Sequence, residues 1–357
     1  MIEKSCYYDP LIFSKEREII FDSHWLFCGL TSEIPGRRDW KVIEYFGHSL
    51  ILYNSGKSIR VFQNVCPHRF NKIFDDTRGR GVIVCGYHSW SFSEEGYLVG
   101  NQELEAENDK RPCLKEYPTE IIGQFIFVAL KTPIQSIQKQ LGKETVEILN
   151  TISLRLTKRI FEQSLDHCCN WKFIVENVIE TEHCLSIHQD TLVKAGYCQN
   201  SPIISFDSSH DNSSFIVPFS NDNFGKKRNR FVSMLFGSEN VNSNYQHHFI
   251  FPNLLISNFE NINFNVSKLL PINAERTLFD MQFFIAPVIT NNQGLIDEFI
   301  SMTIQFGKEV FEEDKLFLER VQKGVKQIDH NGFHYKSATR IHKFVESYKK
   351  WMLNGKS

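Results

Sequence analysis

The stretch Cys66-Pro67-His68-Arg69, joined by a short excursion of chain to Cys85-Gly86-Tyr87-His88-Ser89-Trp90, decides the fold of the region around it. Each arm supplies one cysteine and one histidine, and two hairpin loops can bring the arms together. A [2Fe–2S] cluster of the Rieske type is held in this way: two histidines replace two of the four cysteines on one iron and raise the reduction potential above that of all-cysteine ferredoxin clusters. The spacing therefore predicts a Rieske centre.

A structural zinc site is the alternative interpretation, because two cysteines and two histidines also suit tetrahedral zinc. Zinc-finger spacing normally pairs cysteine with cysteine and histidine with histidine. Here each arm mixes the two residue types, and Pro67 makes the first arm a rigid loop. The pattern favours a [2Fe–2S] cluster whose ligands are Cys66, His68, Cys85 and His88.

Length and charge exclude several classes of protein. The chain has 357 residues, enough for about two domains with cores of their own. A net charge of -2 gives no electrostatic footprint for nucleic acid or anionic lipid. No stretch approaches the roughly 18 apolar residues of a membrane-spanning helix. We therefore expect neither nucleic acid nor a membrane as a partner.

The first residues and the cysteines predict the compartment. The segment from Met1 to Ser14 carries charges and Pro10 and lacks an apolar signal core, so we expect a cytoplasmic protein. Outside the two cluster cysteines no paired spacing is present, and the other thiols are expected to be reduced and to serve packing. These thiols are Cys6, Cys28, Cys113, Cys168, Cys169, Cys184 and Cys198.

The patterning along the chain predicts two kinds of architecture. Residues 11–28, with Ser14 as candidate N-cap, are typical of an amphipathic helical lead-in. Between Trp40 and Leu130, short β-branched and aromatic runs separated by turn signals predict a small antiparallel β domain. After Gln163 a strand and a helix lead to several further strands and then to a long helix, so we expect an antiparallel sheet packed around that helix. The predicted elements of this second part are strands at 203–206, 214–217, 231–236, 246–257 and 277–285 and a helix at 291–326.

A second metal site is predicted further along the chain. His183 and His188 lie five residues apart, and two histidines with one carboxylate form the facial triad that activates oxygen at Fe(II). On an ideal α-helix the two side chains would diverge by roughly 140°. Both can reach one ion only if the helix ends or bulges between them. The alternative is a pair of partly buried histidines with ordinary hydrogen bonds.

Asp314 is the predicted third ligand, because it lies on an otherwise apolar face of the long helix. A carboxylate buried there is costly unless a cation accompanies it. Glu312 and Glu313 flank it on other faces and are interpreted as solvated charges or caps. The alternative for Asp314 is an acid near the start of a helix, favoured by the helix dipole. Its apolar neighbours on the face are Val310, Phe317, Leu318 and Val321.

These motifs resemble those of the Rieske non-haem iron ring-hydroxylating oxygenases, catalytic alpha subunit, and the resemblance runs from Trp25 to Gln322. The block from Asn170 to His188 is similar to the family's first ligand segment, and 311–322 to its ligand-bearing helix. Three positions depart from the family pattern. They are Phe70 in place of glycine, Gly86 in place of proline and Glu182 where tyrosine is common.

The resemblance implies an α+β fold with three parts: a helical lead-in at 1–34 that packs on the catalytic domain, a small antiparallel β Rieske domain at 35–135, and a helix-grip (START/Bet v1-like) catalytic domain at 136–357. It implies the terminal component of a multicomponent mono- or dioxygenase that hydroxylates or demethylates a small organic substrate. Neither a Gly-x-Gly-x-x-Gly motif nor a four-cysteine ferredoxin pattern is present. Electrons from NAD(P)H would therefore come through a separate flavin reductase, a ferredoxin, or both.

The resemblance also assigns roles to two polar residues before the histidines. Glu180 lies three residues before His183 and shares its helix face. In the family a carboxylate at this place joins the iron ligand to a cluster histidine of a neighbouring subunit, which implies a homotrimer or a multiple of it. An exposed helix acid is the alternative for Glu180. Asn177 is a candidate to face the open position of the iron, with capping or packing as its alternative.

Two other classes of function stay open from the sequence alone. A non-catalytic electron carrier with a Rieske domain would hold about two irons per chain, against about three for an oxygenase. A zinc-stabilised binding module would be colourless. The identity of the substrate lies beyond the sequence.

Overall fold

The computed structural model describes residues 1–99, 111–198, 200–207, 211–219, 223–334 and 336–354. The chain divides into a smaller unit, Phe21–Gln135, and a larger unit that combines Met1–Ile20 with Ser136–Ser357. The segment expected as a lead-in is thus shared between the two units. The domain limits 1–34, 35–135 and 136–357 stay a prediction.

The smaller unit is built from antiparallel β-sheets. Over its described residues, one sheet has five strands in the order β5-β2-β3-β4-β9, and two sheets have three strands each, β1-β11-β10 and β6-β7-β8. This confirms the predicted small antiparallel β domain. The strands are β1 Trp25–Leu30, β2 Asp39–Tyr45, β3 His48–Asn54, β4 Ile59–Gln63, β5 Arg78–Arg80, β6 Ile83–Val84, β7 Ser91–Phe92, β8 Leu98–Val99, β9 Glu116–Tyr117, β10 Thr119–Ile122 and β11 Phe125–Ala129.

The core of the smaller unit supports the two cysteine loops. Trp40 stacks on Phe74 with ring centroids 4.0 Å apart. Cys66 and Cys85 belong to the same buried cluster as Trp40 and Phe62. The loops that carry the cysteines therefore start from a close-packed base, which restrains where the thiols can point.

The predicted helix at 11–28 is wrong from Trp25 onward. Helix α1 covers Pro10–Glu16, and its N-cap is Asp9, not Ser14; the Asp9 carboxylate accepts from the Leu11 N–H. A π-helical turn follows, and the chain then enters β1, in which every residue is buried. A strand buried on both faces has a continuous apolar run without alternation, and such a run is easily taken for a helix.

The larger unit consists of an antiparallel sheet and packed helices. Over its described residues the sheet has seven strands in the order β12-β18-β17-β16-β15-β14-β13, and α6 packs against β12. The predicted class, an antiparallel sheet with a long helix, is confirmed. The strands are β12 Lys158–His167, β13 Ile203–Phe206, β14 Ser213–Pro218, β15 Asn244–Ile250, β16 Leu254–Phe259, β17 Asn263–Asn273 and β18 Arg276–Ile285; the remaining helices are α2 Ile137–Ser153, α3 Trp171–Val178, α4 Cys184–Ile187, α5 Asn223–Phe236, α6 Gln293–Gly324 and α7 Thr339–Asn354.

Several elements of the larger unit differ from the prediction. The expected strand at 231–236 lies in helix α5, where the buried residues Val232, Leu235 and Phe236 recur with helical spacing. The expected strand at 246–257 is two strands, β15 and β16, joined by a tight turn. Helix α7 follows the helix that we expected to be the last. No helix within the described ranges combines the length and the apolar character needed to span a membrane.

Candidate metal centres

The two cysteine loops of the smaller unit fold in the same way. In each loop the cysteine N–H donates to the carbonyl five residues on, and the cysteine carbonyl accepts from the N–H four residues on. The repeated geometry aims two backbone turns at one site. The bonds are Cys66 N to Asn71 O (2.8 Å), Phe70 N to Cys66 O (3.0 Å), Cys85 N to Trp90 O (2.8 Å) and Ser89 N to Cys85 O (3.0 Å).

The cysteine sulfurs lie at the inner end of this site. Cys66 and Cys85 are 1% and 2% exposed. Burial raises the pKa of the Cys66 thiol. Burial also acts to raise the pKa of Cys85, but N–H donors, among them the backbone of Tyr87 and the side-chain amide of Asn71, outweigh it and the pKa is lowered. Amide N–H groups around buried sulfurs are suited to thiolate ligands of a cluster.

The two imidazoles lie at the outer end of the same site. The rings of His68 and His88 have centroids 4.7 Å apart. His68 stacks on Trp90 at 4.5 Å with an interplanar angle of 2°, and His88 lies against Tyr87 at 3.8 Å. In a Rieske cluster one iron is bound by two thiolates and the other by two imidazoles. The buried sulfurs and the more accessible imidazoles provide these two pairs of ligands. The four side chains fit a Rieske cluster.

Phe70 stands where the family has glycine, and its backbone is in a conformation that favours glycine. Phe70 adopts a φ of 60°, in the left-handed region that favours glycine, and the residue is 82% exposed. Ser89, at the equivalent place of the second loop, has a φ of 58°. The loop geometry thus demands a positive φ in both arms. At Gly86 an added Cβ would meet nothing within 4 Å, which agrees with the family's larger residue there.

In the larger unit, the structure brings His183, His188 and Asp314 together. One ligand atom from each lies within 4.8 Å of the others. The Nε2 atoms of His183 and His188 are 3.6 and 3.1 Å from Asp314 Oδ1. Two imidazoles and one carboxylate at these separations are the donor set of a facial triad.

A break in the helix explains how two histidines five residues apart converge. Helix α4 is a single turn that begins after His183 and ends before His188, whose backbone leaves the helical region at φ −102° and ψ 38°. A π-helical turn, Gln189–Val193, follows directly. The local unwinding brings both Nε2 atoms to the same carboxylate.

A second layer of carboxylates holds the other nitrogen of each histidine. Glu180 Oε1 is hydrogen-bonded to His183 Nδ1. Glu313 Oε2 lies 2.7 Å from His188 Nδ1 and also accepts from the Thr191 hydroxyl. Metal-bound histidines commonly give their second ring nitrogen to a carboxylate, which fixes ring orientation and tautomer.

The interpretation of Glu313 as a solvated charge or cap is therefore wrong. Its side chain lies about 100° around the helix from Asp314, in a direction that looks solvated in the isolated helix. The chain from His188 to Thr191 passes over this face and supplies two partners, the His188 ring and the Thr191 hydroxyl. Burial acts to lower the pKa of His188, but hydrogen bonds and charges from Asp314 and Glu313 outweigh it and the pKa is raised.

Asn177 contacts the candidate iron site through the carboxylate ligand. Its amide Nδ2 donates to Asp314 Oδ1 at 2.9 Å. The same oxygen lies 3.6 and 3.1 Å from the Nε2 atoms of the two histidines. The contact can orient the carboxylate. The sequence made Asn177 a candidate to face the open position of the iron, with capping or packing as the alternative; Asn177 also lines the cavity, and that role stays a prediction.

A buried ion pair anchors the start of α3, the helix that precedes these residues. Lys172 Nζ donates to Glu16 Oε1 at 2.6 Å, and both side chains are 0% exposed. Trp171 Nε1 and the Tyr348 hydroxyl also donate to the Glu16 carboxylate. The N-cap Asn170 receives a bond from its own helix and gives one to Ala274 O. The Asn-Trp-Lys motif thus locks α3 in place, and Glu16 is a partner that the sequence analysis missed.

We expect Glu16→Gln to destabilise the larger unit by about 3–5 kcal/mol, because it leaves the buried ammonium of Lys172 without a counter-charge. The measurement is the shift in thermal unfolding temperature. Glu298→Gln, at an exposed position of α6, is the matched control and should change stability by less than about 0.5 kcal/mol. Equal unfolding temperatures for both variants would contradict the assignment.

A cavity of about 580 Å³ opens on the three candidate ligands. Part of its wall is aromatic, formed by Tyr197, Phe215, Tyr245 and Phe311. A concave, mostly apolar site with a few convergent polar groups is the usual form of a small-molecule site. The cavity therefore places space for a substrate beside the candidate iron.

Two cysteines of this wall correct a prediction. Cys184 and Cys198, expected as reduced packing thiols, are joined as a disulfide with Cα atoms 6.2 Å apart. The residues are 14 apart in sequence. The chain reversal that joins them passes through the π-helical turn and Gly196, whose φ is 83°. No sequence motif predicts this reversal of the chain between the two cysteines.

Two family models match the chain. The model described as ring hydroxylating alpha subunit (catalytic domain) matches residues 154–354, and that of the Rieske [2Fe-2S] domain matches residues 24–118. The first alone covers more than half of the chain. The matched ranges contain the candidate iron ligands and the candidate cluster ligands, respectively.

Similar proteins and structures agree with these matches. The chain is 29% identical to the glycine betaine monooxygenase oxygenase subunit of Chromohalobacter salexigens over 52% of this chain and 42% of the relative. It is 30% identical to the carnitine monooxygenase oxygenase subunit of Escherichia coli K12 over 51% of this chain and 50% of the relative. The match thus spans about half the length of these relatives.

Among solved structures, the quaternary ammonium Rieske monooxygenase CntA with L-carnitine gives a TM-score of 0.80 at 20% identity, covering 98% of this chain and 95% of that one. Naphthalene 1,2-dioxygenase from Rhodococcus sp. gives 0.77 at 19% identity, covering 98% and 94%. At these identities the likeness concerns the fold. Together with the family models, it shows that the chain belongs to the ring-hydroxylating alpha subunits, with a Rieske [2Fe-2S] domain and a catalytic domain that binds mononuclear iron.

Proposed function

We propose that this protein is the terminal oxygenase component of a multicomponent Rieske oxygenase that hydroxylates or demethylates a small organic substrate. The observation that carries the proposal is the convergence of His183, His188 and Asp314 at a cavity of about 580 Å³. Cys66, His68, Cys85 and His88 would hold the [2Fe–2S] cluster.

Each residue of the iron site has a role in this proposal. Bound Fe(II) supplies the oxygen-activating chemistry of a facial triad. His183, His188 and Asp314 each give one ligand atom. Glu180 and Glu313 orient the two imidazoles, and the Asn177 amide orients the ligand carboxylate.

We expect Glu313→Ala to weaken Fe(II) binding by about tenfold, because His188 loses the group that fixes its tautomer. The lower end of the usual range applies because the Glu313 side chain is 27% exposed and water can replace part of it. Anaerobic Fe(II) titration followed by metal analysis measures the change. Glu309→Ala, on an exposed part of the same helix, is the control, and an equal loss in both variants would contradict the role of Glu313.

The electron-carrier alternative is less well supported. A carrier has no use for a second donor set of two histidines and a carboxylate, or for a cavity beside it. Metal analysis of the purified protein separates the two, because the oxygenase holds about three irons per chain and the carrier about two. A zinc-stabilised module would show no cluster absorbance and would contain no iron.

Methylated amines are the first substrates to test. Relatives of this chain are named for glycine betaine and carnitine, and the aromatic cavity wall suits alkylammonium groups through cation–π attraction. Product analysis with NAD(P)H and a surrogate reductase decides the matter, because N-demethylation releases formaldehyde whereas ring oxidation gives a hydroxylated product. Absence of any product across amine and aromatic panels would overturn the proposed activity.

We also propose electron-transfer partners and an oligomeric state for this chain. The chain would receive electrons from a flavin reductase, directly or through a ferredoxin, and would assemble as a homotrimer or a multiple of it. One structural relative is described with inter-subunit electron transfer, which supports a multimer. Light scattering on the purified protein tests the trimer. The cytoplasmic location stays a prediction.

A further inference from the structure

His247 presents one free ring nitrogen to the cavity. It lies on β15 and lines the cavity with Tyr245, two residues before it on the same face. Of its two ring nitrogens, only Nδ1 has a hydrogen-bond partner within the described chain. Nε2 lies on the opposite side of the ring from the Arg340 contact, and His247 is one of the residues that line the cavity. The next residue, His248, bonds Ser214 through its own Nδ1.

Arg340 lies behind His247 and is 2% exposed. Its guanidinium reaches His247 Nδ1 at 3.4 and 3.5 Å and donates to neutral oxygens of Ser213 and Ile179. No carboxylate in the described ranges pairs with it. A buried cation whose partners are all neutral remains uncompensated in charge, although its hydrogen bonds are made.

The contact with Arg340 fixes the tautomer of His247. A guanidinium can only donate, so Nδ1 must accept, and the neutral imidazole then carries its proton on Nε2. Burial, followed by the charge of Arg340, holds the pKa of His247 well below its ordinary value and keeps the ring neutral. His247 is therefore a preset hydrogen-bond donor to whatever enters the cavity.

The charge of Arg340 is separated from the cavity by one layer of side chains. The guanidinium lies 4.9 Å from the centroid of the Phe215 ring, and Phe215 stacks on His247 at 5.5 Å with an interplanar angle of 24°. Behind buried side chains that exclude water, a positive charge attracts an anion far more strongly than it does in water. At the candidate iron site the charge of bound Fe(II) would offset the acids Glu180 and Asp314, whereas the Arg340 charge behind His247 has no carboxylate partner within the described ranges.

We propose that the cavity binds the oxyanion of an acidic substrate, a carboxylate or a sulfonate, at His247 Nε2, and that Arg340 is the positioning residue that sets the tautomer and supplies the positive charge. The proposal rests on the proposed function and narrows its substrate to a small organic acid. His247 sets the selectivity for that acid, and the atom to be oxidised lies elsewhere on the substrate.

The experiment is a binding comparison on the full-length holoprotein without O2 or reductant. Calorimetric titrations use matched probes: benzoate and benzamide, N,N,N-trimethylglycine and its primary amide, and benzenesulfonate and benzenesulfonamide. At least one acid should bind roughly tenfold more tightly than its amide, as expected of a hydrogen bond to a charged group. The first two pairs report a carboxylate and the third a sulfonate. Equal binding of acid and amide in all three pairs overturns the proposal.

Variants separate the hydrogen bond from packing. His247→Phe keeps a ring against Phe215 and should abolish the preference for the acid, whereas His247→Gln keeps an N–H donor and should retain part of it. Arg340→Met should lower the preference and Arg340→Lys should restore part of it, a recovery that a merely structural role would not give. His248→Gln, on the other face of β15, is the matched control.

Retention of the preference in His247→Phe, or an equal loss in His248→Gln, overturns the proposal. If Arg340→Met does not fold, the two substitutions at His247 still decide the question. Failure here is distinct from failure of the oxygenase proposal. Equal binding of acid and amide leaves turnover possible, and a lack of product leaves the binding result unchanged.

Discussion

We expect Asp314→Ala to abolish turnover and to lower the iron content from about three to about two per chain, with the [2Fe–2S] absorbance unchanged, because it removes the only carboxylate of the facial triad. Asp314 Oδ1 lies 3.6 Å from His183 Nε2 and 3.1 Å from His188 Nε2. Glu313 cannot replace it, because its carboxylate already holds His188 Nδ1 on the other side of the ring. Two neutral imidazoles alone bind Fe(II) weakly.

The control is the exposed neighbour Glu312, whose removal should leave iron content and turnover unchanged. Cluster absorbance serves as an internal measure of folding of the smaller unit, and the unfolding temperature reports on the larger unit. If Glu312→Ala loses iron and Asp314→Ala remains active, the helix face has been assigned wrongly. Turnover by Asp314→Ala would refute the facial triad as the site of chemistry.

The parts of both sites that were predictable depend on local patterns. The cysteine and histidine pairs of the cluster lie within single loops, so spacing alone relates them to each other. Asp314 was identified because one acid interrupts an apolar helix face, which is a property of 3.6-residue periodicity. In these cases the residues that identify the site lie within one helical turn or one loop of the chain.

The parts that were missed depend on contacts between distant segments. Glu313 looks solvated until the chain after His188 crosses its face, and Glu16 looks like an ordinary helix acid until Lys172 meets it in the core. Arg340 finds its partners on β14, on β15 and just after α3, and nothing in the sequence of its own helix predicts them. Periodicity describes a face of an element, but not the identity of what covers it.

The secondary-structure predictions for β1 and for part of α5 were wrong for a related reason. β1 and the 231–236 part of α5 are both short runs rich in apolar residues, and in such runs the number of buried faces decides between strand and helix. Burial on all sides removed the alternation that identifies a strand in β1. In α5 the aromatic and β-branched residues favoured a strand locally, while tertiary packing selected the helix.

Glu180 is the residue whose substitution should separate the two metal centres in function. Its Oε1 is hydrogen-bonded to His183 Nδ1, and its Oε2 accepts from the His183 backbone N–H at 3.3 Å. Burial raises the pKa of Glu180, and the bond to His183 opposes that rise. In the proposed assembly the carboxylate would join His183 to His88 of the partner subunit. Such a bridge connects the two centres through hydrogen bonds rather than through solvent.

We expect Glu180→Gln to keep the cluster spectrum and the mononuclear iron, because no ligand atom is removed, and to slow single-turnover reoxidation of the pre-reduced protein by about 10- to 100-fold. Glutamine keeps the size of the side chain but cannot accept at both oxygens. Asp190→Asn is the matched control, since Asp190 is an exposed acid on the neighbouring Gln189–Val193 turn, whereas Glu182 is itself hydrogen-bonded to Glu180. Stopped-flow absorbance with substrate and O2 measures the rate. Reoxidation of Glu180→Gln at the wild-type rate would leave Glu180 as a local support of His183 and remove the bridge from the proposal.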